Sequence, residues 1–466
     1  MQNFSEPAFR VKHPGLTMAS LLLGAFVGMF SETSLNIALP KLMIVFHTST
    51  AVLQWLVTGY MLVIGIVLPL SSLIAKWFTT RQIVIFALLD FIIGAAISAL
   101  APNFAVLLAG RMIQGIGTGL ILPLMFTIAM QIFPPKKIGS IMGICALVIM
   151  FAPAIGPTLT GLILAKLSWR WIFWSFEIFL VIALCLAVSA LENIGQPTRP
   201  HIDLLSIVES VLGFSGLVVG ASLSSLDGWG SWPVLGSFAV GILVLIAYVI
   251  RQLKLETPIL NLRVFKVKAF TIGAVLVMLD FGIILSAMYL MPMYLQNGLL
   301  LAVALTGIVM LPGGLVNALV SAFAGRMYDS IGAKRPVMIG FVIAIVGIVM
   351  LLLTTAHSAV AYVIAAHVIL MIGCPLVMSP AQTSALNALR GPASSDGSTI
   401  LNTMQQIVGA LATALATSFL ELGRHAAAGS QAVRFTSGVH TGLYFTLALA
   451  IIALIVSFSL PKQNAD

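Results

Sequence analysis

Five carboxylates and one arginine stand inside stretches that are otherwise apolar, and they are the residues of this chain best placed to do chemistry. They are Glu32 in "MFSETSLNIALP", Asp280 in "LVMLDFGII", Asp90, Glu177, Glu209 and Arg111. A charge in hydrocarbon costs about 3 kcal/mol on insertion scales, so each should face protein, find a partner and serve a purpose. For a carboxylate that purpose is proton binding: desolvation favours its protonated form and a nearby cation its ionised form. Counting 1.5 Å per residue from the ends of their runs, Arg111 lies ~12 Å below one surface and Glu32 ~24 Å from the other. In a ~30 Å core the two heights differ by only ~6 Å, so Glu32 should sense Arg111. The plain alternative is a permanent ion pair that fixes packing. Asp280, near the middle of its run, is the second candidate proton site. Asp90 reads equally as a proton site or as a structural hydrogen bond, while Glu177 and Glu209 suit snorkelling or capping near an interface.

The elements that hold these residues are membrane helices. The 466 residues are 60% hydrophobic and 8% charged, with a mean hydropathy of +1.11, which no soluble domain matches. Apolar runs near 16–39, 52–75, 81–101, 104–132, 138–166, 170–191, 204–226, 233–250, 269–296, 303–324, 335–355, 358–386, 397–420 and 439–459 predict an all-α polytopic protein with fourteen spans. Residues 1–15 lack the pattern of a cleavable signal, so the first run is expected to remain a helix. With the amino terminus inside, seventeen Lys and Arg fall on the inner side and five on the outer, so both termini are expected in the cytoplasm of a multi-pass cell-membrane protein. The same bias accounts for the net charge of +9 without nucleic acid. Cys145, Cys185 and Cys374 lie in apolar runs and read as small core residues, and no metal site is expected.

The chain also repeats. "AGRMIQGIG" (109–117) lies without gaps on "AAHVILMIG" (365–373), and "SSLIAKWFTTRQ" (71–82) matches "FAGRMYDSIGAKR" (323–335). These matches predict an N-terminal six-helix bundle over 16–191, an inserted helix pair with linkers over 192–268 and a C-terminal bundle over 269–460, between short end segments 1–15 and 461–466. Parallel repeats of this kind suit a transporter that rocks one bundle against the other around a central site. Asn36, one turn from Glu32, Gln114, one turn from Arg111, and the polar stripe Asn402, Gln405 and Gln406 are candidate cavity residues. His367 occupies the repeat position of Arg111 and reads either as part of a proton path or as a neutral, satisfied core histidine.

Taken together, "SETSLNIALP", "WLVTGYML", "LLAGRMIQGIGTG", "APAIGPTLTG", "SWRWIFW", "MPMYLQ", "MLPGG" and "ILNTMQQIVGALATALA" resemble the fourteen-helix drug/proton antiporter branch of the major facilitator superfamily, in its lincomycin-exporter type. The resemblance spans the chain. It implies alternating access, with small-molecule drugs and protons as partners, lipophilic compounds and cations among the substrates, and a monomer in the bilayer. It also implies no cofactor beyond the proton gradient, and the chain has no GxxxxGK[ST] phosphate loop. One proton crossing ~150 mV releases about 3.5 kcal/mol, which sustains a ~300-fold gradient of a neutral solute. Pro153, Gly156, Pro157 and Gly161 match the antiporter motif, in which the ridge Ala152, Gly156 and Thr160 should let another helix approach closely. Gly325, Arg326, Asp329, Gly332 and Arg335 match the cytoplasmic gate motif. The first-half copy departs from it, with Lys76 in place of the aspartate, Ser72 and Thr79 in place of glycines, and Arg81 as a remaining candidate. An exporter of an endogenous solute and an uptake symporter are the same-fold alternatives. An enzyme would need clustered His, Cys or acidic residues, and the seven histidines are scattered.

Overall fold

The computed structural model describes residues 11–133, 135–194, 203–256, 258–389 and 392–461, and some helical side chains, those of residues 135–140 and Asp329 among them, lie outside the description. The long helices are α1 (Pro14–Phe46), α3 (Trp55–Trp77), α4 (Thr80–Leu100), α5 (Phe104–Ile132), α6 (Pro135–Lys166), α7 (Arg170–Ala190), α8 (Leu204–Asp227), α9 (Trp232–Lys254), α10 (Lys268–Met293), α11 (Val303–Ile331), α12 (Lys334–Leu352), α13 (Val360–Asn387), α14 (Pro392–Ala426) and α15 (Gln431–Ser457), with a four-residue α2 (Thr50–Leu53) before α3. Fourteen are long and apolar enough to cross a membrane, and no strand occurs among the described residues. Fourteen crossings would put the described ends, residues 11 and 461, on one side, here called the terminal face.

Local chemistry sets the boundaries. Asn103 caps α5 by accepting from the Val106 N–H at 3.0 Å, and Thr79 with Gln82 forms a capping box at the start of α4. Several expected ends move, those of α1 and α15 among them. The first helix continues through Pro40 to Phe46, because packing outweighs one missing donor. The last helix begins at Gln431 rather than near residue 439, since Ser430 caps a polar first turn that hydropathy does not register.

The two halves repeat their pairings. In the first half α1 packs on α5, α6 and α7, α3 on α5, and α4 on α5 and α7. In the second, α10 packs on α13, α14 and α15, α11 on α13, and α12 on α13 and α15. Between halves, α6 meets α11 and α3 meets α14, again a symmetric pair. The repeat holds at atomic scale: a Cβ at Gly117 would lie 2.5 Å from the Ala87 carbonyl oxygen, and one at Gly373 would lie 2.6 Å from that of Gly340. Only glycine permits such contact. The inserted hairpin α8–α9 leans across the α3–α14 seam, with Ser222 donating to Thr58 and Ser224 bonded to Ser418, both at 3.3 Å.

Candidate functional site

Arg111 is fully buried among α1, α3 and α5, and four of its five N–H groups donate to neutral groups. It donates to Gln114 Oε1 at 2.8 Å, to the carbonyls of Ser31 (3.1 Å) and Leu56 (3.2 Å), and to the Ser31 hydroxyl, while its guanidinium lies 4.0 Å from the Tyr60 ring centre. Tyr60 in turn donates to the Gly28 carbonyl at 2.9 Å and bonds Thr118 at 2.7 Å. The network stitches three helices together and shares one cation's desolvation over many dipoles. Glu32 feels this charge but forms no ion pair with it among the described residues, so the permanent pair weighed from sequence is absent. Gln114, expected in the cavity, belongs to this network instead: its oxygen accepts from Arg111 and Ser31 and its nitrogen donates to Ser98.

Glu32 points into the protein, not at lipid, with 2% of its surface exposed. Its carboxylate lies against the side-chain amide of Gln406, which belongs to α14 of the other half. Glu32 Oε2, Asn36 Oδ1 and Gln406 Oε1 are buried acceptors without a hydrogen-bond partner among the described residues. Gln405 instead turns within its own half and donates to the Met378 sulfur at 3.7 Å, and Asn402 is half-buried beside it.

Asp280 is fully buried, and neither oxygen has a partner of ordinary hydrogen-bond geometry among the described residues. The Cys374 thiol on α13 faces it, a weak donor. His367, also on α13, presses Nδ1 against Gly313 of α11, and that nitrogen is likewise unpartnered, so the satisfied histidine weighed from sequence is not what Nδ1 shows. Asp90 accepts from the Gly117 N–H at 2.9 Å, which makes it a tie between α4 and α5.

The antiporter motif divides its labour differently from expectation. The ridge face turns inward: a Cβ at Gly156 would meet Thr33 Oγ1 of α1 at 2.7 Å, within the same half. The neighbouring face seals the halves. Thr158 donates to the Gly307 carbonyl at 2.8 Å, a Cβ at Gly161 would lie 2.9 Å from the Val303 carbonyl oxygen, and one at Gly307 would lie 2.7 Å from that of Pro157. Pro157 has no N–H to offer and Pro153 lies one turn earlier in the same helix. With Gln296 donating to the Ile37 carbonyl at 3.2 Å, these contacts lie towards the face opposite the termini.

In the loop motif Gly325 and Gly332 flank the end of α11, Gly332 in a positive-φ conformation (72°) that favours glycine, while Arg326 and Arg335 are exposed and the Asp329 side chain lies outside the described residues. Arg81 is no gate residue here. It donates to the Val188 carbonyl at 2.6 Å, inside its own half.

Four contributors escaped sequence reasoning. Ser31, Tyr60 and Cys374 are unremarkable by type and matter through what faces them. Gln54, almost fully buried before α3 with both amide atoms unpartnered, could have been noticed as the amide interrupting an apolar run.

Symmetric bundles, a membrane-buried arginine network and an acid at the seam between the halves define a membrane transporter. The family model described as Major Facilitator Superfamily matches residues 21–413, and the chain belongs to that family. It is 46% identical over 462 residues to the "Lincomycin resistance protein LmrB" of Bacillus subtilis (strain 168), covering 96% of each chain. To the protein of the same name in Listeria monocytogenes it is 45% identical, covering 96% of this chain and 97% of the relative. To the "Multidrug resistance protein B homolog" of Mycobacterium tuberculosis (strain ATCC 25618 / H37Rv) it is 27% identical, over 87% of this chain and 76% of the relative. Among solved structures, the xylose transporter XylE from E. coli, in a partially occluded inward-open conformation, shares the fold at a TM-score of 0.66 and 14% identity, covering 97% of this chain and 98% of that one.

Proposed function

We propose that the protein exports drugs in exchange for protons by alternating access, from a cell membrane in which both termini are cytoplasmic. Its substrates on this reading are lipophilic compounds, cations among them, and it works as a monomer without a bound cofactor. The relatives named for lincomycin and multidrug resistance support the substrate class. One observation carries the mechanism. Glu32 is held between a cation of its own half and an amide of the other half, with one oxygen free of partners. When the halves rock, such an acid must change neighbours, and its preference for a proton changes with them. With the halves joined by α6 and α11 at the far face, this state corresponds to access from the cytoplasm.

Transport into energised inside-out vesicles tests the reading. Glu32→Gln should abolish uptake against the drug gradient and keep downhill flux, because glutamine preserves the shape and loses the proton. Asp280→Asn should weaken coupling through the second acid. Undiminished uphill transport by Glu32→Gln would overturn the assignment. A resistance panel separates drug export from export of an endogenous solute, and the direction of pH change on adding substrate separates antiport from uptake symport.

A further inference from the structure

Helix α3 runs towards the terminal face and α14 runs away from it, and they cross where a Cβ at Gly65 would touch Ile407 at 3.4 Å. Lys76 lies eleven residues beyond Gly65, and Asp396 lies eleven residues before Ile407. At 1.5 Å per residue both are displaced ~16 Å in the same direction, so a base of the first half and an acid of the second reach the terminal face at one level. Their charges act on each other, and no direct ion pair between them occurs here. Lys76 is exposed and Asp396 half-buried, which leaves both room to move. The other base beside this loop, Arg81, is engaged with the end of α7. Lys76 is also the residue whose repeat equivalent is Asp329, so the first half carries the opposite sign at this position.

We propose that Lys76 and Asp396 form a reversed-polarity gate pair, positioning residues that close the terminal face by drawing α3 onto α14 when the opposite face opens. In the state seen here, joined at the opposite face, the pair is apart but aligned. On rocking, the ends of α3 and α14 approach and the pair replaces the contacts that α6 and α11 give up. Lysine in the motif's aspartate position is then a change of sign answered by the acid on α14.

The proposal rests on the alternating-access reading, and the test separates the two. Spin labels at Leu167→Cys and Leu300→Cys, exposed positions at the opposite face in different halves, with exposed Cys185 replaced by Ser, report opening of that face by electron–electron distance. Lys76→Glu and Asp396→Lys should each lower the open-to-closed ratio about two- to fivefold, the range one partly exposed ion pair supplies. Lys76→Glu with Asp396→Lys, which swaps the two charges, should restore it. A merely structural role predicts no such rescue. If the parent switches on drug addition while both single variants match it, or the double change is no better than the worse single one, the gate pair is wrong. If the parent shows one distance under every condition, alternating access itself fails.

Discussion

Arg81 and Lys334 occupy equivalent places in the two halves and do the same work: Arg81 donates to the Val188 carbonyl near the end of α7, and Lys334 donates to the Phe458 and Leu460 carbonyls just past the end of α15. Arg111 and His367 are also equivalent by repeat, yet one anchors a network across three helices while the other packs a ring against glycine. The scaffold is duplicated and the charges are not. On the exchange mechanism proposed above, backbone packing must be kept in both halves for the bundles to rock as rigid bodies, whereas a proton site gains nothing from being copied. The second half holds its acid, Asp280, against a thiol rather than beside a guanidinium, and the repeat equivalent of Asp90 is an isoleucine, Ile343.

Removing the anchor should have the largest effect. Arg111→Leu removes the charged donor from Gln114, the Ser31 hydroxyl and the Ser31 and Leu56 carbonyls, at about 1.5–3 kcal/mol for each hydrogen bond lost. Transport should fall more than tenfold with a clear loss of thermal stability, measured in vesicles and by melting in detergent. His367→Ala should instead shift which compounds are exported and leave coupling nearly intact, as read from a resistance panel. Equal losses from the two would break the contrast.

Next in size is the seal. Gly307→Val drives a side chain into the Pro157 carbonyl and should reduce transport about tenfold while each bundle still folds. Wild-type transport by that variant would show that α6 and α11 need not touch. The duplicated ties should matter less and equally: Arg81→Ala and Lys334→Ala should each lower the melting point by a few degrees, and a difference well beyond that would undo the equivalence.

The smallest effect lies outside both halves. Asp203, just before α8, is held by Arg251 at 2.8 Å, and that hydrogen bond is the main reason its carboxyl titrates at about 2 rather than near 3.8. Its stabilising contribution is present above pH 4 and fades as pH falls towards 2. Asp203→Asn should therefore cost slight stability at neutral pH, and parent and variant should converge in acid.

Sequence patterning sufficed for the fold because lipid leaves few choices: every backbone group must be satisfied within its own segment, so run lengths count the helices and repeats pair them. Depth along a helix is one-dimensional and additive, and so the nearness of Glu32 to Arg111 was also legible. Which face each residue turns, and what it meets there, is not additive. Tyr60 under the guanidinium, Gln406 beside Glu32 and Cys374 beside Asp280 are joined across helices far apart in the chain, by contacts that depend on rotation and close approach. The same limit governed the antiporter motif, whose small-residue ridge was visible in sequence while its neighbouring face turned out to seal the halves. Composition and periodicity thus determined that this chain is a membrane bundle with stranded charges; only the packing of helix against helix decided which charges meet, because a rotation of one turn's fraction changes every partner without altering the pattern.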